Sequence, residues 1–136
     1  MPSEAAPRAV LDTNVLVAAG FRPRSASGRL ADAVRDGRLV AVWCAATRAE
    51  AEAVVGQIPP LRGVDLVPLF PETGRHDGPL DSAAYARVPD VPDRVFAALA
   101  AAAGVPLVTA DAPLVEGARA HGLRVLSPSD ADRVWR

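Results

Sequence analysis

The chain has 136 residues, half of them hydrophobic and 4% aromatic, with a formal net charge of −1 at pH 7. This size suits one domain with an aliphatic core, and the balanced charge shows no general basic field for nucleic acid. The longest apolar stretch, 95–103, is far shorter than the roughly 20 residues that cross a bilayer, and residues 1–7 lack the features of a signal peptide. We expect a cytoplasmic protein without a membrane segment, with a flexible N-terminus at 1–7 and a single domain at 8–136.

The first half of the chain contains two passes from strand to helix. Apolar periodicity and turn residues predict its elements, which are a strand at 8–11, a helix at 14–19, a helix at 27–36, a strand at 39–43 and a helix at 46–55. A loop at 20–25 separates the first two helices and carries Arg22 and Arg24.

The second half begins with a segment, residues 56–89, that prolines and glycines break into loops. Within it we predict a short strand at 64–67 and a helical turn at 82–86. Order then returns, and the predicted elements are a helix at 94–103 that starts from 90–93, a strand at 106–108, a helix at 113–121, a strand at 124–126 and a helix at 129–135. Strands that alternate with helices in this way predict an α/β fold with a mostly parallel sheet.

Four acidic residues that are distant in the chain lie beside apolar runs: Asp12, Glu50, Asp93 and Asp111. Asp12 directly follows one predicted strand, and Asp111 lies three residues after the end of another, so both should lie at the carboxyl edge of the sheet, where open α/β folds bind ligands. Each aspartate also has an ordinary interpretation as a cap or first-turn residue of the helix that follows it.

Glu50 does not fit that ordinary interpretation, because it lies inside its predicted helix. Spacings of three and four residues place it on one side of the helix with Ala46 and Ala53, which we expect to face inward. A carboxylate in that position costs free energy unless it is paired or binds a metal. An ion pair with Arg48 or Arg94 is the alternative to a metal.

Taken together, the four acids indicate a metal site. Carboxylates that are brought close together repel and raise one another's pKa unless a cation neutralises them. Ligands that offer only oxygen, without clustered cysteine or histidine, favour Mg²⁺ or Mn²⁺ over zinc.

The segments around these acids resemble the PIN-domain ribonucleases, including the VapC-type toxins of bacterial toxin–antitoxin pairs. Residues 10–17, VLDTNVLV, look like the opening strand and Asp-Thr-Asn turn of that family, and Glu50 matches its helical glutamate. Asp93 matches the acid that opens an alanine-rich helix, and residues 108–114, VTADAPL, look like its Thr-Gly-Asp segment with Ala110 in place of glycine. The resemblance covers nearly the whole chain.

The resemblance implies a three-layer α/β/α sandwich with a central, mostly parallel sheet, and a Mg²⁺- or Mn²⁺-dependent endoribonuclease. It further implies a small antitoxin as partner, and a homodimer. Its residue assignments are metal binding, directly or through water, by Asp12, Glu50, Asp93 and Asp111, with supporting roles for Asn14, Thr109 and Asp90.

Three arginines, Arg22, Arg24 and Arg94, are candidates to hold the RNA backbone, although ordinary surface arginines have the same spacing. Two other classes of protein compete with the nuclease. One is a PIN-like domain that binds RNA or a protein without cutting. The other is a phosphoryl-accepting receiver or an aspartyl-phosphate phosphatase; both expect a functional lysine, which this chain lacks, and the phosphatase expects an aspartate where Asn14 stands.

Overall fold

The computed structural model describes residues 5–135, so residues 1–4 of the predicted flexible N-terminus lie outside the described residues. The elements of the described part are β1 Arg8–Leu11, α1 Thr13–Phe21, α2 Ala26–Arg35, β2 Val40–Ala41, α3 Ala45–Gly56, α4 Asp93–Ala103, β3 Leu107–Val108, α5 Ala112–Ala120, β4 Val125–Leu126 and α6 Pro128–Val134. None of the helices within 5–135 combines the length and apolar character needed to cross a bilayer.

The strands form one parallel sheet in the order β2-β1-β3-β4. The chain leaves β1 toward β2 on one side and later returns to pair β3 with the other side of β1. The connection that follows β1 and the one that follows β3 therefore lead to opposite sides of the sheet. In open α/β sheets, ligands bind between two such strands, beyond their carboxyl ends. The predicted α/β class and parallel sheet are confirmed.

Successive residues of each strand point to opposite faces of the sheet and pack against different helices. In β1, Ala9 and Leu11 belong to a core formed with α1, α2 and α6. Val10 belongs to a second core, formed with α4 and α5. In β3, Leu107 and Val108 divide between the two cores in the same way. This alternation produces the predicted three layers, with helices on both sides of the sheet.

The predicted strand at 64–67 is wrong. Residues 64–66 are irregular, and Val67–Leu69 form a single 3₁₀ turn. Pro68 has no backbone N–H to donate to a strand ladder, and the side chain of Asp65 accepts a hydrogen bond from the Val67 amide at 3.1 Å. This local bond favours a turn over an extended strand. The other 3₁₀ turns of the broken segment are Pro59–Leu61, Glu72–Gly74 and Ser82–Tyr85, the last close to the predicted helical turn at 82–86.

Part of the broken segment continues the sheet beyond β2. The Trp43 amide donates to the Gly74 carbonyl at 3.0 Å, and the His76 amide donates to the Trp43 carbonyl at 2.8 Å. A Cβ atom on Gly74 would lie 1.8 Å from the carbonyl oxygen of Ala41, so only glycine fits here. The segment thus covers the edge of β2, which would otherwise expose unpaired backbone groups.

Candidate carboxylate site at the sheet edge

Asp12 and Thr109 connect the carboxyl ends of the two central strands. Both side chains are buried, with exposed fractions of 3% and 0%. The Thr109 hydroxyl donates to Asp12 Oδ2 at 2.8 Å and accepts from the Asp111 amide at 3.1 Å. Asp12 occupies the N-cap position of α1, but its side chain makes no capping hydrogen bond. The ordinary interpretation of Asp12 as a side-chain cap is therefore wrong.

A second threonine holds Glu50. Thr13, the first residue of α1, is buried, and its hydroxyl donates to Glu50 Oε2 at 2.6 Å. This bond joins residues 37 positions apart and brings the carboxylate of α3 beside the start of α1. From the sequence, Thr13 was recognised only as the middle residue of an Asp-Thr-Asn turn, and no role was predicted for it. Its place directly after Asp12 at a strand end was the available indication.

The inward side of α3 differs from the prediction. Ala46 and Ala53 are exposed, whereas Glu50 is half-buried. The buried residues of α3 are Thr47, Ala51 and Val55. Glu50 follows Thr47 by three residues, so it lies at the border of the buried side.

Neither predicted arginine partner pairs with Glu50. Arg48 lies 3.6 Å from the carboxylate of Glu52, and Arg94 donates to the Val88 carbonyl at 2.8 Å. Among residues 5–135, no salt bridge involves any of the four predicted metal-binding acids. Their negative charge is therefore not neutralised by arginine in the described part of the chain.

Asp111 and Asp93 begin the two helices on the other side of the sheet. Asp111 caps α5, since its Oδ2 accepts from the Leu114 amide at 3.1 Å. This confirms its ordinary interpretation, and the bond uses one of its two carboxylate oxygens. Asp93 is half-buried in the first turn of α4, where the N-cap position belongs to Pro92.

Burial and mutual repulsion both disfavour ionisation of the acids in this region. Burial raises the pKa of Asp93 to about 7, with further contributions from the charges of Asp12, Asp90, Asp111 and Glu50. Burial also raises the pKa of Asp12; a threonine hydroxyl that donates to it acts in the opposite direction, and the charges of Glu50 and Asp111 add to the increase. Such mutual shifts arise when several carboxylates lie close together without a counter-charge.

The donor set fits a hard divalent cation in chemistry and in charge. It offers carboxylate oxygens alone, as Mg²⁺ and Mn²⁺ prefer. Burial and, to a smaller extent, the neighbouring negative charges raise the pKa of Asp93, and a cation would offset both effects. As the side chains stand, no three Asp, Glu, His or Cys residues in the described range are close enough to hold one ion. Binding would therefore have to draw the side chains together.

The predicted supporting residues differ in their surroundings. Asp90 is exposed, and its backbone carbonyl accepts from the Asp93 amide at 3.1 Å. Asn14 is exposed and points to no hydrogen-bond partner within the described chain. Arg22 and Arg24 are exposed beyond the end of α1, and a helix of nine residues rises by only ~13 Å at about 1.5 Å per residue. The two arginines therefore follow the opposite end of α1 from Asp12.

A sequence model of the PIN domain matches residues 8–112, and the chain therefore belongs to the PIN domain family. No curated protein matches the chain in sequence.

Three solved structures have the same fold. The crystal structure of FitAcB from Neisseria gonorrhoeae is 22% identical with a TM-score of 0.59, covering 89% of this chain and 98% of its own. FitAB bound to an IR36 DNA fragment is 22% identical with a TM-score of 0.57, covering 88% and 94%. PAE2754 from Pyrobaculum aerophilum is 16% identical with a TM-score of 0.55, covering 97% and 98%. At these identities the similarity shows the fold alone.

Proposed function

We propose that this PIN domain is a metal-dependent endoribonuclease whose Mg²⁺ or Mn²⁺ ligands are Asp12, Glu50, Asp93 and Asp111. The observation that carries the proposal is geometric: two buried threonine hydroxyls hold Asp12 and Glu50 at the carboxyl edge of the sheet, the edge where Asp111 caps α5. No arginine of the described chain pairs with these acids, so a hard dication is the partner that their chemistry favours.

The chain's own residues would hold the ligands in place. The Thr109 hydroxyl orients Asp12, and the Thr13 hydroxyl orients Glu50. Asp111 is fixed by its bond to the first turn of α5. When bound, the cation would neutralise charge on the attacked phosphate and acidify nearby water, which removes the need for a histidine base. With the ribose 3′ oxygen as leaving group, the product carries a 5′-phosphate.

In line with the sequence resemblance to VapC-type toxins, we further propose a toxin-like role, with a small antitoxin as partner and a homodimer as the assembly. Arg22 and Arg24 are exposed and could hold RNA phosphates distant from the cut, since arginine suits phosphate contacts. Arg94 is less available, because its guanidinium already donates to backbone carbonyls. The similar FitAB structure is bound to DNA, which makes DNA a useful control substrate.

The alternative is a PIN domain that binds RNA or a protein without cutting. It is favoured by one observation, that no three ligating side chains within residues 5–135 are close enough to hold a single ion. Titration with Mn²⁺ distinguishes the two proposals, because the non-cutting domain needs no cation.

The test is Asp12→Asn, which keeps the shape of the side chain and removes its charge. We expect Mn²⁺-dependent RNA cleavage to fall at least ~100-fold, since a metal centre supplies several kcal/mol of transition-state stabilisation. Asp36→Asn is the matched control, because Asp36 is exposed and pairs only with Arg38 at the surface. Circular dichroism checks that both variants fold. Full cleavage activity in Asp12→Asn would contradict the proposal.

A further inference from the structure

A cavity of about 210 Å³ opens beside the carboxylate site, between α3 and the start of α4. Its lining residues are Ala46, Thr47, Glu50, Pro92, Val95 and Phe96. Glu50 belongs both to this cavity and to the proposed metal site, and Pro92 directly precedes Asp93. The cavity is therefore continuous with the place where a phosphate would be cut.

The lining is apolar apart from Glu50 and Thr47, and the single hydroxyl proton of Thr47 is already used. Its hydroxyl donates to the Cys44 carbonyl at 3.1 Å and accepts from the Cys44 amide at 3.0 Å. Phe96 is 2% exposed and lies at the inner end, whereas Ala46 and Pro92 are exposed at the mouth. Such a cavity suits a flat apolar group that needs no hydrogen bond from the protein.

The size of the cavity limits its occupant to one ring system. Its volume of about 210 Å³ is below the roughly 300–1,000 Å³ of sites for drug-sized ligands. A nucleotide whose phosphate lies at Glu50 and Asp93 carries its base within reach of this cavity, and a base is planar with apolar faces. Paired and stacked bases of a duplex could not enter.

We infer that the cavity is a base subsite, which receives one unstacked base of the nucleotide beside the scissile phosphate. This inference rests on the proposed ribonuclease activity. Every base has a face that can pack on apolar and aromatic side chains. Because the lining side chains have no free hydrogen-bond donor, we expect the subsite to respond to the presence of a base rather than to its identity.

The first experiment uses wild-type protein, Mn²⁺ and a short RNA whose cleavage position has been mapped. An abasic nucleotide is placed in turn on each side of the cut. At one of the two positions we expect kcat/KM to fall at least ~5-fold, the lower end of what base stacking contributes. Exchanging the base at that position for any other should change kcat/KM by less than about threefold, since stacking is tolerant of sequence.

The second experiment fills the mouth of the cavity with Ala46→Phe. Ala46 is exposed, so the larger side chain should not disturb the core. For the base-bearing RNA, we expect kcat/KM of Ala46→Phe to fall to the value that the wild type has for the abasic RNA. For the abasic RNA, kcat/KM of Ala46→Phe should equal that of the wild type. Ala53→Phe is the matched control: Ala53 is also exposed and lies two turns further along the same side of α3, outside the cavity. It should keep the preference for a base.

The outcomes separate the subsite from the proposed activity. Equal cleavage of base-bearing and abasic RNA by the wild type would overturn the subsite and leave the nuclease intact. If Ala46→Phe changes binding of a protein partner but not RNA kinetics, the cavity holds a partner's side chain and the inference is wrong. If the wild type cuts no RNA, the proposed function fails, but the subsite can still be tested by binding. Fluorescence anisotropy then measures the affinity of each variant for labelled RNA. Equal affinity of Ala46→Phe and Ala53→Phe would contradict the subsite.

Discussion

Two buried threonine hydroxyls set the positions of two of the four acids. Thr109 donates to Asp12 from the neighbouring central strand, and Thr13 donates to Glu50 from the first turn of α1. Thr109 directly follows β3 and Thr13 lies two residues after the end of β1, so the sheet fixes the positions of both hydroxyls. The site is thus held by uncharged donors, which leaves its negative charge available for a cation.

Thr109→Val tests this arrangement, because valine keeps the shape of the side chain and removes its hydroxyl. The buried carboxylate of Asp12 and the Asp111 amide would both lose a partner, which should lower the free energy of unfolding by about 1–3 kcal/mol. Loss of a group that orients a metal ligand typically reduces activity ~10–100-fold, and we expect Mn²⁺-dependent cleavage to fall by that much. Thr73→Val, in an exposed position, is the control. Unchanged activity in Thr109→Val would show that Asp12 needs no such support.

Asp93 gives the metal-free protein a predictable pH dependence. Its pKa in the fold is about 7 against an ordinary value of 3.8. Below pH ~4 the carboxyl is protonated in both the folded and unfolded states. Between pH ~4 and ~7 only the unfolded state ionises, so stability falls as the pH rises, and above the folded pKa the loss is complete.

Asp93→Asn should therefore raise the melting temperature of the metal-free protein at pH 8 and change it little at pH 4. Asp93 is half-exposed, so solvent screening reduces the expected gain to about 1 kcal/mol, equivalent to roughly 4 °C for a domain of this size. Calorimetry in a chelator measures the shift, with the exposed Asp81→Asn as control. A lower melting temperature for Asp93→Asn at pH 8 would mean that burial and repulsion of the Asp93 charge do not destabilise the metal-free protein.

At the scale of elements, the sequence predicted most strands and helices, because residues close together in the chain determine them. Apolar runs bounded by turn residues located the four strands and six α-helices of residues 5–135 within a few positions of their observed bounds. The strand predicted at 64–67 from alternating apolar residues is absent for two local reasons. Pro68 cannot donate to a strand ladder, and the Val67 amide donates to the side chain of Asp65 instead.

The side of α3 that faces inward could not be read from its sequence. Alanines occupy several sides of this helix, so its buried and exposed sides differ little in hydrophobicity. The bond from Thr13 to Glu50 was beyond sequence reasoning for another reason: it joins residues 37 positions apart, and only the packing of α1 against α3 brings them together. The convergence of Asp12 and Asp111, in contrast, followed from strand ends in a parallel sheet.

Close packing of α5 against the broken segment also supports the site. A Cβ atom on Gly117 would lie 2.6 Å from the Arg87 carbonyl oxygen and 2.7 Å from the Cα of Val88. These residues lead into Asp90 and Asp93. Glycine at 117 therefore lets this stretch lie directly on α5.

Gly117→Ala should push residues 87–88 away from α5 and lower the free energy of unfolding by about 1–3 kcal/mol, as overpacking commonly does. Gly56→Ala is the control at the end of α3, where an added Cβ would meet nothing within 4 Å. That substitution should leave stability unchanged or raise it by up to about 1 kcal/mol. Urea unfolding compares the two variants. Equal stability would indicate that residues 87–88 move freely from α5.

At the scale of the whole molecule, a nearly neutral chain keeps four acids of one site free of salt bridges to its described arginines. The formal net charge is −1, and the ion pairs of the described part pair arginines with other acids. The four site acids are left at the divergence between β1 and β3, together with the cavity between α3 and α4. The fold therefore places the carboxylate site and the apolar cavity side by side at one edge of the sheet.

Direct titration of Mn²⁺ into the protein, by calorimetry, tests the central claim that these carboxylates form one cation site. Wild type and Glu52→Gln should bind with the same affinity, because Glu52 is exposed and pairs with Arg48. Glu50→Gln should bind at least about tenfold more weakly, as loss of a group at a metal centre does. Absence of saturable binding by the wild type, or equal binding by Glu50→Gln, would contradict the account.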